Sequence, residues 1–122
     1  MYSCLCVCVC FIDRFCDGLQ ETPAAARLAV GNLVALTQAV MAGTVRNGLA
    51  IIRPPGHHAE EHTCMGFCIY NNVAIAAKQA ICNMGAQRVL IVDWDVHHGD
   101  RRVFLVSAGS LYTSVYACVF FC

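Results

Sequence analysis

Val89-Leu90-Ile91-Val92-Asp93-Trp94-Asp95-Val96-His97-His98-Gly99 is the stretch that decides the fold. Its four leading apolar residues read as a strand buried on both faces, the kind found in parallel sheets covered by helices. The polar residues then fall at the strand's carboxyl end, where open α/β sheets keep their ligands. Side chains alternate along a strand, so Asp93, Asp95 and His97 are expected on one side, with Trp94 and Val96 on the other. Two carboxylates and an imidazole on one face can bind a metal ion. A second stretch, Arg53-Pro54-Pro55-Gly56-His57-His58-Ala59, follows a short expected strand from Leu49 to Arg53 and delivers another histidine pair into a rigid turn. Together the two stretches hold four of the five histidines and two of the eight acidic residues, which concentrates the reactive chemistry at one place.

Working outward, the pattern is α/β. Thr22-Pro23 predicts a helix start, with Thr as N-cap and Pro at the first helical position. Ala25, Ala29, Leu33, Leu36 and Val40 then recur at helical spacing as far as Gly43, the expected stop. A second helix is expected from about Asn72 to Met84, with Val73, Ala76, Ala77 and Ala80 inward and Gly85 after it. Ser110 to Val115 reads as the next strand. The chain has no internal repeat and no interdomain linker.

The 122 residues suffice for one domain core, but 13% charged residues and zero formal net charge leave little surface to solubilise a 58% hydrophobic chain. Exposed apolar faces and open sheet edges are expected. Neutral charge offers no footprint for direct nucleic-acid binding. Met1 to Ile12 lacks a basic n-region and a small-residue cleavage site and is too short to span a bilayer, so no membrane role is expected. In that context the ten cysteines are expected to be free thiols of a reducing compartment.

Cys4-Leu5-Cys6-Val7-Cys8-Val9-Cys10-Phe11 alternates Cys with apolar residues. A TG repeat in a nucleic acid translates as Cys-Val-Cys-Val, so translated non-coding sequence is the leading reading. A short strand with cysteines on one face comes next, and a metal or disulfide cluster last, because Cys-x-Cys fits no common zinc spacing. Met1 to Asp17 is accordingly expected to pack poorly. The domain is placed at 17–116, with 1–16 unrelated to it and 117–122 an apolar tail apart from it.

Three ordered motifs carry a resemblance: R-P-P-G-H-H-A at Arg53 to Ala59, G-F-C at Gly66-Phe67-Cys68, and D-x-D-x-H-H-G at Asp93 to Gly99. The chain resembles the zinc-dependent histone deacetylase family from about Ala24 to Gly99, with a weaker echo to about Tyr116. Trp94 is similar to the class II branch, and Asn47-Gly48-Leu49-Ala50-Ile51-Ile52 is most like class IIb. The resemblance implies a three-layer αβα fold with a mainly parallel sheet of the arginase/deacetylase type, here incomplete.

It also implies roles. Asp95 and His97 match zinc ligands, His58 the general base, and His57 its neighbour, oriented by Asp93. Asp93 also contributes in the family to a structural monovalent-cation (K+) site, to which Ser114 would add an oxygen. Gly66 and Phe67 match one wall of the substrate tunnel. Asp100 follows class I rather than class II in placing a carboxylate beside His58, which would favour the imidazolium and raise its pKa. Arg101-Arg102 replaces the family's usual Gly-Thr, so the pattern is left at about Asp100.

The implied reaction is hydrolysis of the acetyl amide of acetyl-lysine in histones or other proteins, with acetylpolyamines as a narrower variant. Implied partners are acetylated histones or other acetyl-lysine proteins and corepressor complexes, in transcriptional repression in the nucleus and/or cytoplasm. The family's third zinc-ligand Asp and carbonyl-polarising Tyr have no counterpart before Cys122, so this polypeptide alone is expected to be inactive. The rival in another class is a non-catalytic fragment competing for partners of a full enzyme. Arginase-type hydrolases share the sheet but use D-x-H-x-D, and a His at the fifth position instead of the third counts against them.

Each residue also has a plainer reading. His62 and Glu60-Glu61 are expected to be solvated, Cys64, Cys68 and Cys82 to be small buried hydrophobes, and Arg53 to order the Pro-Gly loop through its carbonyls. Phe67 alone would be a core aromatic; Gly66 and Cys68 beside it point to the wall instead.

Overall fold

Ala26, Ala29, Leu33, Thr37 and Val40 form the buried stripe of a helix, α1, spanning Thr22–Met41. The spacing of three and four keeps them on one face. The structure, a computed structural model, describes residues 6–9, 21–89, 91, 93, 95–97 and 119–121. Its other elements are β1 (Cys6–Val9), β2 (Leu49–Ile51), α2 (Asn72–Asn83) and β3 (Val119–Phe121).

The stripe sits about one residue from the expected one at two places. Ala26 is buried where Ala25 was expected, and Thr37 takes the position expected for Leu36. Thr37 can be buried because its hydroxyl donates to Leu33 O at 2.8 Å, which leaves no polar group unsatisfied. Leu36 instead packs partly buried at the margin of the core. It lies over Gly48, where a Cβ would come within 2.4 Å of Leu36 Cδ1. By length and composition α1 could cross a membrane, but its buried stripe seats it on α2 and β2.

The helix ends follow local chemistry. Glu21 rather than Thr22 is the N-cap of α1, makes no side-chain cap bond, and accepts the Ala25 N–H at 2.9 Å through its carbonyl. Thr22 is already helical, with Pro23 in the first turn, where its missing N–H costs nothing. At the other end Gly43 takes φ +73 and donates to Val40 O at 3.0 Å, the left-handed stop that glycine adopts without strain. Asn71 caps α2 by accepting the Ala74 N–H at 3.1 Å, and the helix ends at Asn83, one residue short of the expected Met84.

The strands form one parallel sheet in the order β2-β1-β3. Cys6 pairs with Leu49 and Cys8 with Ile51; Val7 pairs with both Ala50 and Val119. Poor packing was expected for 1–17, and for residues 6–9 the structure differs: they are hydrogen-bonded along both edges. Alternating Cys and Val suits a strand in the middle of a sheet, because both are small and apolar. In β2 the pleat buries Ala50 and exposes Leu49 and Ile51. Both helices lie on the Ala50 side, where Ala29, Leu33, Ala50, Ile52, Ala76 and Ile91 make the core. Val89 and Ile91 pack into this core, but neither belongs to an assigned strand. Leu90, Val92 and the strand expected at 110–115 lie outside the described residues.

Leu33 is 1% exposed and Leu28 65% exposed on the opposite face of α1. Leu33→Ala is therefore expected to lower unfolding stability by about 2–5 kcal/mol, and Leu28→Ala to change it by less than ~0.5 kcal/mol. Urea unfolding followed by helix circular dichroism checks this; equal effects at the two positions would mean that α1 is not seated by this stripe.

Candidate active site

Gly56-His57-His58-Ala59 is a β-turn closed by the Ala59 N–H donating to Gly56 O at 3.1 Å, so the two histidines are its corner residues. Glycine is required at the first position: a Cβ on Gly56 would lie 2.5 Å from both Asn72 N and Tyr70 O. The two imidazoles are half-buried, with ring centroids 4.0 Å apart.

Across from the turn, Asp93 Oδ2 lies 2.7 Å from His57 Nδ1. Both side chains are largely withdrawn from solvent, 11% and 17% exposed, so this bond is well shielded from water. Asp93 Oδ1 accepts the Asp95 N–H at 3.0 Å, and Asp95 Oδ1 accepts the His97 N–H at 2.6 Å. Asp95 Oδ1 is also 3.2 Å from His97 Nδ1. The expected trio is thus linked, but for a different reason than pleating. Residues 95–97 form a bend and turn instead of continuing a strand. Each aspartate bonds the N–H two residues on, which coils the segment and gathers the side chains.

The Gly-Phe-Cys segment packs beside the histidine turn. Met65 and Cys68 exchange hydrogen bonds of 3.1 and 2.8 Å around Gly66 and Phe67, whose φ values of +55 and +64 give a type I′-like hairpin turn. A left-handed aromatic residue is uncommon. Phe67 is 78% exposed, so it is displayed on the surface and not used as core. Gly66 packs against His58: a Cβ there would sit 2.5 Å from His58 Cδ2.

Cys68, 1% exposed, holds these two loops together. Its sulfur accepts the His58 N–H at 3.4 Å and donates to Gly66 O at 3.4 Å. Burial pushes the Cys68 thiol up; the N–H groups of His58 and Ala59 pull the other way, and the charge of Asp93 adds to the rise. Cys68 is therefore a neutral structural thiol. Cys64 and Cys82, also expected to be buried, are exposed instead. Cys64 sits in the polar loop after the histidines, where Glu60, Glu61 and His62 are exposed as expected, and Cys82 faces out from the last turn of α2.

Asp93, Asp95, His97, His57, His58, Gly66 and Phe67 thus belong to one connected constellation, whereas His98, Asp100 and Ser114 lie outside the described residues. Asn71, Asn72 and the supporting role of Cys68 were not anticipated. An Asn at a helix start signals a cap, and nothing local signals that its amide also reaches a distant loop. For zinc, tetrahedral bonds of about 2.0–2.2 Å separate neighbouring donors by roughly 3.3–3.5 Å, and the 3.2 Å between Asp95 Oδ1 and His97 Nδ1 suits two such corners. Among the described residues no group of three His, Cys, Asp or Glu side chains could hold a metal ion.

The described residues thus set an aspartate-held histidine pair beside a linked carboxylate–imidazole pair on an α/β fold. A family model described as the histone deacetylase domain matches residues 9–121. The chain is 57% identical over 91 residues to "Polyamine deacetylase HDAC10" of Mus musculus, covering 73% of this chain and 14% of that protein. It is 48% identical over 94 residues to "Histone deacetylase 9" of Homo sapiens, covering 75% and 9%. Among solved structures, the HDA15 HD domain matches with a TM-score of 0.60 and 55% identity, covering 62% of this chain and 22% of that one. The chain belongs to the histone deacetylase family, in its class II branch, and spans only a small part of the length of these relatives.

Alkylation tests the assignment of the thiols. Iodoacetamide is expected to modify Cys64 and Cys82 of the folded chain well before Cys68, with the difference abolished in denaturant. The thiolate is the reacting form, so burial slows modification of Cys68 both by hiding its sulfur and by raising its pKa. Peptide mapping that finds Cys68 modified as fast as Cys64 would contradict this.

Proposed function

We propose that this chain carries part of a class II deacetylase site that hydrolyses the acetyl amide of an acetylated primary amine. The observation that carries the reading is the 2.7 Å bond from His57 to Asp93, which joins the histidine turn to the Asp-x-Asp segment. In the complete domain, the arginase/deacetylase-type αβα fold would cover the face that leaves Leu49 and Ile51 exposed.

His58 is the base in this reading. Its imidazole takes the proton of the attacking water and returns it to the leaving amine. His57, fixed through Nδ1 by Asp93, holds the neighbouring position and keeps the ring pair aligned. Asp95 and His97 are the residues that would hold zinc, which when bound acts as a Lewis acid on the amide carbonyl and makes water more acidic. Gly66 and the displayed Phe67 form a wall for the alkyl chain next to the amide. Asp100 would act on His58, and Asp93 would also serve the monovalent-cation (K+) site.

Substrate choice lies between acetyl-lysine in a protein and an acetylpolyamine. The name of the 57% identical mouse relative favours the polyamine as a second reading. Both share an acetamide on a flexible alkyl chain, so the groups above serve either.

With two zinc ligands, Asp95 and His97, identified among the described residues against the usual three, the purified 122-residue chain is expected to bind zinc weakly. It is also expected to release no acetate from acetyl-lysine peptide or from N-acetylated polyamine. Zinc-dependent release that vanishes in His58→Ala would contradict the inactivity but uphold the base. Zinc-dependent release unaffected by His58→Ala would overturn the assignment of the base.

A further inference from the structure

The Asn71–Asn72 pair at the start of α2 takes no part in the reaction as assigned, yet it reaches both shoulders of the histidine turn. Asn72 is 2% exposed and donates from Nδ2 to Pro54 O at 3.1 Å. Asn71 divides its amide: Oδ1 accepts the Ala74 N–H at 3.1 Å, while Nδ2 donates to Ala59 O at 3.2 Å. These partners fix the amide orientations, since an N–H can be met only by the oxygen and a carbonyl only by the NH2 group. Between the shoulders, Gly56 lies so close to the start of α2 that a Cβ would come within 2.5 Å of Asn72 N. The loop is thus held at Pro54, Gly56 and Ala59, and the bond that closes the histidine turn runs between two of those points.

We propose that Asn71 and Asn72 are positioning residues that set the pitch of the His57–His58 turn, so that His57 meets Asp93 and His58 rests on Gly66. The proposal rests on the assignment of the histidine pair above. Capping alone does not explain Asn71, because Asp, Ser or Thr would cap α2 as well. Of those, Asp has no hydrogen to donate and Ser or Thr has a single oxygen for both tasks, whereas the amide accepts from the helix at Oδ1 and donates to the loop from Nδ2. Nor does packing explain Asn72, since a buried amide is unfavourable unless it is hydrogen-bonded, and its side-chain bond goes to the loop. A loop displaced by about 1 Å can lower turnover roughly 10²-fold, which gives such a clamp its value.

Asn71→Asp separates the two roles, because the carboxylate still caps α2 but no longer donates to Ala59 O. Long-range 1H–15N spectra of the histidine rings in the full chain read the result. In the parent, His57 should show one fixed tautomer, imposed by Asp93. In Asn71→Asp and Asn72→Asp that fixed pattern should be lost, with His58 shifted as well and the helix signal retained. Asn83→Asp, which breaks an exposed pair with Gln79 at the far end of α2, should leave both rings unchanged. If Asn72→Asp fails to fold, Asn71→Asp decides alone. Ring signals in Asn71→Asp that superimpose on the parent would overturn the proposal. So would loss of α2 in that variant, because the contact would then support the helix and not the loop. The readout is a ring tautomer and not turnover, so a wrong assignment of the base would leave this result separately legible.

Discussion

The hydrogen bond between His57 and Asp93, 2.7 Å long, joins segments 36 residues apart, and the site depends on it. An imidazole that bonds a carboxylate through Nδ1 has its ring orientation and tautomer set by that bond. For the two groups to meet, the histidine turn must enter from one side and the Asp-x-Asp segment from the other, each at a definite pitch. Much of the described architecture can be understood as a means of holding those two approaches still.

The helices contribute through small residues. Ala26 and Ala29 on α1, and Ala76 and Ala80 on α2, are nearly fully buried, and alanines allow the backbones a close approach. Leu33 fills the space between them and the sheet, where Ala50 offers little volume of its own. This seats the start of α2 beside the histidine loop, where Asn71, Asn72 and the backbone at Tyr70 receive it. Cys68 then ties His58 to the Gly66–Phe67 turn, so that the imidazole and the displayed aromatic share one support. Phe67 pays for its exposure in backbone strain, since φ +64 disfavours any side chain with a Cβ. Strain of this kind gathers at functional sites, where surrounding structure holds it in place.

Much of this was legible in the residues themselves. The helices were visible because Ala29, Leu33 and Val40 recur at helical spacing and because Gly43 and Gly85 can take the positive φ at which a helix stops. The Asp93–His57 contact was implied by the family resemblance that the three motifs carry. What stayed hidden has physical causes. Cys6–Val9 carries small apolar residues that suit a strand, but its pairing partners are more than 40 residues away, and composition does not encode a distant partner. The turn at 95–97 was masked by an alternating pattern, because short aspartate side chains compete for backbone N–H groups that a strand would use. Thr37 displaced Leu36 from the buried stripe because its hydroxyl could be satisfied within its own helix. The two-sided amide of Asn71 followed from no local pattern at all.

If the His57–Asp93 bond is the contact that joins the two halves of the site, its partners must be energetically coupled. A double-mutant cycle of His57→Ala and Asp93→Ala, read by urea unfolding of the full chain, measures that coupling directly. A shielded hydrogen bond to a carboxylate should give a coupling of about 1.5–3 kcal/mol. Effects that add to within about 0.5 kcal/mol would show that the two residues act independently and would contradict the account.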